Sequence, residues 1–571
     1  MNRGAVACAA LLGGWLAPSG CVERVQVDAD ELSGLVAIAV SPGDRAVSLV
    51  LPGSPQVIAY RATGRFSDGQ QRDITDDVAW TTDNPFPGAL ARGGVYTTSN
   101  TAAGHVTVRA SHREISATAK LTVTIRAVVV DDAFPPPAQV ADLFAAGTPA
   151  MADPMRSPAI LYPSDATVLP QGLAQILFQY QAGMMTDAFR LVFDSDVLHL
   201  EVFSGADRWR PDASTWALVA QSHPDASVAF EVDAAASTAP GTIFTGAPAA
   251  LGFTAAGASG ALYYVTDGIL RSELAQPVAA KLYPQAGDTA RVAAPSVSRD
   301  GATMALAYND ELRTIDLATL RPVAMAKGPL GATAISPDGS LVVVSTMGML
   351  QLRDARTGAG VGSPDGRVML AAMATHPDWS PDGTAIAVAV GTMVTNMDLK
   401  GGAIARVPYL GNGKWGAAQI LVASTGDMDN NFFPRWSPDG RYIAYVHADG
   451  PGPGPGPGGN AELRIVAATG GAPTVLQRAS HRVALADTPG LANSAPAWAP
   501  ATGDRMWLAF VSARAYGAVR PMPAGGQIWI TAIDPAQLGA GDPSSAAFWL
   551  PAQDVTAVAA SPVWATAARA P

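Results

Sequence analysis

One four-residue pattern constrains the fold of this chain more than any other feature. It occurs as Ser298-Arg-Asp-Gly301, Ser336-Pro-Asp-Gly339, Ser380-Pro-Asp-Gly383 and Ser437-Pro-Asp-Gly440, with a degenerate copy at Ala499-Pro-Ala-Thr-Gly503. Proline presets φ at the second position of a turn, aspartate bonds back to the local backbone, and glycine accepts positive φ. Asp300, Gly301, Asp338, Gly339, Asp382, Gly383, Asp439 and Gly440 are therefore read as hairpin turns and not as chemistry. The four glycines are separated by 38, 44 and 57 residues. Self-similarity on that scale marks a repeat architecture, in which each copy is one supersecondary unit that buries its apolar face against its neighbours.

Upstream of several anchors lies Pro-x-Trp, at Pro377-Asp-Trp379, Pro434-Arg-Trp436 and Pro496-Ala-Trp498, and it recurs after the last anchor at Pro562-Val-Trp564. Downstream lies an apolar strand, such as Leu341-Val-Val-Val-Ser345 or Tyr442-Ile-Ala-Tyr445, and then a further one, such as Leu350-Gln-Leu-Arg-Asp354. In the third copy this further strand is read at Val394-Thr-Asn-Met-Asp398. Strand, turn, strand, strand and an outer strand make one four-stranded propeller blade. Five blades are anchored. A sixth is assembled from both ends of the region, with Ile269–Leu274 as an outer strand and Pro562-Val-Trp564 as an inner one, so that no sheet edge is left open. Residues 200–260 would supply a seventh if they contributed. Ser363-Pro-Asp-Gly366 falls between blades as a further turn, and the run Gly450–Gly459 has no core-forming residue and reads as a surface loop.

The repeat resembles the TolB-type, WD-like propeller of bacterial envelope proteins, over roughly residues 266–571. The resemblance implies a cell-envelope protein that binds a protein or glycan through the propeller face. Related propellers can carry Cys-x-x-Cys-His before the first repeat. The matching stretch here is Ala293-Ala-Pro-Ser-Val297, so haem is not implied.

Ahead of the repeats the chain is also strand-rich, so the expected fold class is all-β throughout. Residues 35–126 alternate apolar and polar positions between turn residues, which argues for a β-sandwich. The succession Ala62-Thr-Gly-Arg-Phe-Ser-Asp-Gly69, Asp73-Ile-Thr75, Val78-Ala-Trp-Thr-Thr82, Gly94-Val-Tyr96 and Leu121-Thr-Val-Thr124 resembles a group 2 bacterial immunoglobulin-like domain. Such domains act as spacers or adhesion modules. Residues 127–158 read as a proline-rich linker with a short helix over 138–146. Residues 159–265 look like a fibronectin type III-like sandwich, with Trp216-Ala-Leu-Val219 as a strand and Ala261–Val265 as its closing strand. Trp80, Trp209 and Trp216 are read as packing residues rather than sugar platforms.

The first 20 residues read as a signal peptide, and 21–34 as a linker. Gly4 to Ala17 is mostly apolar but short for a bilayer span. Leu16-Ala-Pro-Ser-Gly-Cys21 resembles a bacterial lipobox, although Pro18 stands where leucine is usual. The chain has two cysteines, Cys8 and Cys21, so Cys21 has no disulfide partner once the leader is removed. Lipidation of Cys21 is expected, with Val22 after it resembling outer-membrane rather than inner-membrane sorting.

Charge and motif content narrow the chemistry. A net charge of −11 without a basic cluster argues against nucleic acid. Seven histidines form no His-Glu-x-x-His, and no Gly-x-Ser-x-Gly elbow occurs, so neither metal catalysis nor a serine hydrolase is indicated. Asp427, Asp429 and Asn431 could offer alternate oxygen ligands to calcium. The loop lacks the glycine and distal glutamate of an EF-hand, and a solvated turn is the competing reading. The expectation is a non-catalytic envelope lipoprotein that binds a partner through its propeller. The alternatives are a polysaccharide-acting hydrolase or lyase, which needs paired carboxylates in the channel, and an adhesin acting through 35–126.

Overall fold

The computed structural model describes residues 32–150, 153–285, 287–328, 330–395, 397–450, 461–480, 492–500, 504–521 and 525–566. Cys21, the leader and Pro451–Gly459 lie outside the described residues.

The described residues between 261 and 566 form six antiparallel sheets of four or five strands, the six blades of a propeller, and one two-stranded hairpin. Blade 2 runs outward from the axis as Val292–Val297, Thr303–Tyr308, Glu311–Asp316 and Pro322–Ala326. The same order repeats in blades 3 to 6, whose inner strands are Thr333–Ile335, Met373–Trp379, Asp429–Trp436 and Ser494–Trp498. The second strand of each blade is apolar on both faces because neighbouring blades cover it. Val342, Val343 and Val344, for example, are buried in succession.

Blade 1 closes the ring. Its inner strand is Ala560–Ala565 from the C-terminal end, paired antiparallel with Ala261–Val265, with Leu262 opposite Trp564 and Tyr263 opposite Val563. Ile269–Ser272 and Ala280–Tyr283 complete the sheet. Ala261–Val265, expected to close the second sandwich, therefore belongs to the propeller. All four of Ala261, Leu262, Tyr263 and Tyr264 are buried, and only a strand covered on both faces accommodates that run.

Two local readings are corrected. In blade 4 the third strand is Ala403–Gly411, not 394–398. The earlier stretch folds into a small hairpin of Met393–Val394 with Leu399–Lys400, whereas 403–411 presents three buried residues, Ile404, Ala405 and Val407, to its neighbours. Ser363–Gly366 is not between blades. It joins the third and fourth strands of blade 3, Met349–Asp354 and Arg367–Val368, with Gly366 N donating to Ser363 O.

The N-terminal sheets are joined to each other. Ile115–Val130 pairs with Gly104–His112 and Arg45–Leu51, and its last residues pair in parallel with Leu198–Ser204, from Ile125 opposite Leu198 to Val130 opposite Phe203. The boundary expected at 126/127 falls inside this strand, because Ala127-Val-Val-Val130 continues the β-branched run. Thr148–Ala150 adds to Thr242–Thr245 after the short helix Val140–Ala146, so the expected linker is largely built into the second unit. Trp216 lies on a helix, Ala213–Gln221, rather than a strand. Asp212 caps it, accepting from Ser214 N and Thr215 N. The indole is buried and donates to Leu173 O at 2.8 Å, and Trp209 is buried beside Phe178.

The second unit is seated on blade 6. Trp549 N donates to the Tyr162 hydroxyl at 3.1 Å, Val519 N donates to Gln179 Oε1 at 3.0 Å, and the rings of Tyr162 and Tyr516 meet edge-on at 4.9 Å. Among the described residues no helix is long and apolar enough to cross a membrane.

Candidate functional site

The four Ser-x-Asp-Gly turns share one geometry. The serine hydroxyl donates to the aspartate two residues on, at 2.5–2.6 Å in all four. The same hydroxyl accepts from the backbone N five residues on, at 2.9–3.0 Å. Each glycine N donates to the serine carbonyl at 2.9 Å, with φ between +70° and +73°. At Asp382 the Ser380 hydroxyl holds the carboxyl below its ordinary range, and the bonds from Thr384 add to this against partial burial. Burial works against ionisation at Asp338 and Asp439 too, but the Ser336 and Ser437 hydroxyls and the turn N–H groups outweigh it. These aspartates are fully engaged within their own turns.

The turns stack in series. A Cβ on Gly383 would meet Pro337, and one on Gly440 would meet Pro381. Together they form the rim of a cavity of about 380 Å³ at one end of the central channel. Its outer wall is Arg299, Pro337, Pro381, Pro438 and Pro500, the second residue of each turn. Its inner wall is the Pro-x-Trp segments. The volume lies within the ~300–1,000 Å³ common to ligand pockets.

A backbone irregularity aims the inner wall. Ala294, His376, Phe433, Ala495 and Ser561 all have positive φ, between +46° and +51°, and each immediately precedes a proline. The strand pairing shifts register there in each of these blades. Blade 3 has Thr333 in place of the proline and keeps unbroken register. These are β-bulges, which re-aim the side chains that follow. The tryptophans turn into the seams between blades. Trp379 Nε1 donates to Ala334 O and Trp498 Nε1 to Arg435 O, in each case the preceding blade's inner strand, at 3.1 Å. The four indoles are 6–8% exposed, so no ring face is free to stack on a sugar.

Three charged side chains line the cavity among the described residues: Arg299, Asp378 and Arg435. Arg299 replaces the turn proline of blade 2. Its N donates to Pro337 O, and its guanidinium reaches across the mouth to Pro381 O and Pro438 O, both at 3.1 Å. Asp378 accepts from Trp436 N at 2.7 Å and lies 3.4 Å from Arg435 Nη1. Desolvation raises its pKa, Arg435 and the Trp436 N–H pull it back, and the result is about 6. Beneath the mouth the channel narrows to about 20 Å³ beside His376 and Phe433, whose rings are 4.0 Å apart. Burial, then Arg435, lower the His376 pKa to about 3 against a weaker pull from the Met397 backbone, so that ring is neutral.

The calcium candidates lie away from the mouth. Asp429 accepts from Thr425 N, Thr425 Oγ1 and Asn431 Nδ2, while Asn431 also donates to Gly402 O. Asp427 faces Thr392 Oγ1 at 3.2 Å. Among the described residues no group of three or more His, Cys, Asp or Glu gathers as metal ligands. Sequence reasoning placed the turns but missed Arg299, Asp378 and Arg435 as the polar lining. The signals were present as a turn with arginine for proline and as the variable position of Pro-x-Trp.

Asp378 gives a signed pH prediction. Its folded pKa of about 6 lies above the unfolded 3.8, so the folded state holds the extra proton between those values. Stability from this group is fully present below pH ~4 and lost as pH rises through ~6. The stability difference between wild type and Asp378→Asn, from urea unfolding at stepped pH, is expected to fall over that window. A flat difference contradicts the assignment.

No family model and no curated protein matches the chain. Solved structures similar to it include TolB from Acinetobacter baumannii, at 16% identity over 59% of this chain and 79% of that one, with a TM-score of 0.36. A structure assigned as TolB from Agrobacterium tumefaciens shares 17% identity over 54% of this chain and 98% of its own, with a TM-score of 0.32. The dihydro-heme d1 dehydrogenase NirN, in complex with DHE, shares 17% identity over 51% of this chain and 53% of its own, with a TM-score of 0.29. The likenesses are partial, and the propeller itself stands on its own six sheets and their closing pair of strands.

Proposed function

We propose that this protein is a non-catalytic envelope lipoprotein whose propeller holds a segment of a protein partner in the channel mouth. The observation that carries the proposal is the cavity of about 380 Å³, walled by prolines, small side chains, two arginines and the four seam tryptophans on a closed ring. Peptide fits better than glycan because the four indoles are almost wholly buried, whereas stacking on a sugar needs an exposed aromatic face. Hydrolysis of a polysaccharide is disfavoured. Asp378 is the one carboxylate among the described lining residues, and it is held by Trp436 N and Arg435, leaving no second carboxylate to act with it. The bacterial immunoglobulin-like resemblance of 35–126 fits a supporting role, since this unit is joined through Ile115–Val130 to the unit seated on blade 6.

Val563 is half-exposed at the mouth, and a Val563→Trp substitution fills it. Peptides selected from a random display library on the full chain are expected to lose binding to this variant while its melting transition is retained. Selection that yields only peptides indifferent to the substitution places binding elsewhere.

The proposed anchor is a lipid on Cys21, motivated by the lipobox-like Leu16–Cys21 and by the lack of any cysteine after residue 21 to pair with it. A Cys21→Ser variant is expected to leave the membrane fraction. Unchanged fractionation would rule out the lipid anchor.

A further inference from the structure

The mouth carries charge of the opposite sign to the rest of the chain. The protein has a net charge of −11, yet the described cavity lining holds two guanidinium groups and one carboxylate. The carboxylate, Asp378, is committed to Arg435 and to Trp436 N. Arg299 has no carboxylate partner among the described residues. Its guanidinium rests on two neutral carbonyls, Pro381 O and Pro438 O, and its residue is exposed to solvent. A cation set in a concave, low-dielectric rim focuses its field into the opening and selects partners by sign.

We infer that the channel mouth recognises an acidic peptide segment, with Arg299 as the receptor for its carboxylate. This rests on the docking reading above and adds the chemistry of the partner. The exchange is favourable in kind. Arg299 now makes charge–neutral hydrogen bonds, and an incoming carboxylate replaces them with a bidentate ion pair, which is shorter and stronger. The released Pro381 and Pro438 carbonyls then remain as acceptors for the segment's own N–H groups. The apolar wall of Pro337, Pro438 and Pro500 takes the adjoining side chain. Arginine at position 299 is what distinguishes this turn from the Pro-Asp-Gly turns of blades 3 to 5. Hairpin formation does not require it, because the Ser298–Asp300 and Gly301–Ser298 bonds match those of the other three turns.

The test uses the full chain and peptides from the display selection, each synthesised with its acidic residues intact and with Asp and Glu replaced by Asn and Gln. Wild type is expected to bind the acidic forms about tenfold or more tighter, a ratio that shrinks as salt is raised. Arg299→Gln is expected to abolish that ratio, and Arg299→Lys to restore part of it. A purely structural role for Arg299 would weaken both peptide forms equally, and that outcome overturns the inference. Peptides that are blocked by Val563→Trp but show no preference for acid overturn the inference while leaving the docking reading intact. If no peptide responds to Val563→Trp, both fail. Binding of polygalacturonate with no peptide binding also overturns the inference, in favour of an anionic glycan.

Discussion

The pairing of Ala261–Val265 with Ala560–Ala565 is the contact on which the mouth depends. Six blades left open would expose the inner edges of two sheets and would not hold their inner strands at fixed angles around an axis. Once closed, the ring brings together residues that are remote in the chain. Arg299 meets Pro438 across 139 positions, and Trp564 Nε1 donates to Ser259 O across 305. The cavity is therefore a property of the closed ring and of no single repeat.

Closure also accounts for backbone that local rules disfavour. A residue before proline is biased towards extended conformations, and a non-glycine residue in the left-handed region costs roughly 1–2 kcal/mol. Ala294, His376, Phe433, Ala495 and Ser561 break both rules at equivalent places. At the four bulges followed by Pro-x-Trp, the tryptophan turns into the seam between blades and the residue between proline and tryptophan faces the channel, while the bulge at Ala294 is followed by Pro295-Ser-Val297. Buried indoles such as Trp379 and Trp498, each bonded to the preceding blade, offset the local cost. In blade 3 the proline and the bulge are absent together, whereas blade 2 keeps both at Ala294-Pro295 without a tryptophan, so the bulge goes with the proline.

This separates what the sequence could disclose from what it could not. The Ser-Pro-Asp-Gly turns were legible because their hydrogen bonds close within six residues. The closing strand at Pro562-Val-Trp564 was legible because it repeats the inner-strand pattern of other blades. The third strand of blade 4 was not, since Val394 does enter a short strand, Met393–Val394, while the strand that joins the blade lies further on at Ala403–Gly411. The helix at Ala213–Gln221 was misread from its apolar content although Asp212 carried a capping signal. Arg299 looked like erosion of a repeat, because its significance lies in carbonyls two and three blades away. The turns were judged to be architecture only, yet their second residues build the rim of the candidate site.

A polar lining of two arginines and one occupied aspartate, set among prolines and seam tryptophans, is what the docking proposal rests on. In the docking proposal a polypeptide partner enters at the mouth. Photo-crosslinking in cells that make the protein tests this most directly, with a benzophenone amino acid at Val563 in the mouth or at Ile420 on the outer strand of blade 4, which is exposed. The account predicts a polypeptide adduct from position 563 and none from position 420. Adducts from 420 alone would contradict it and would place the partner on the propeller's outer edge.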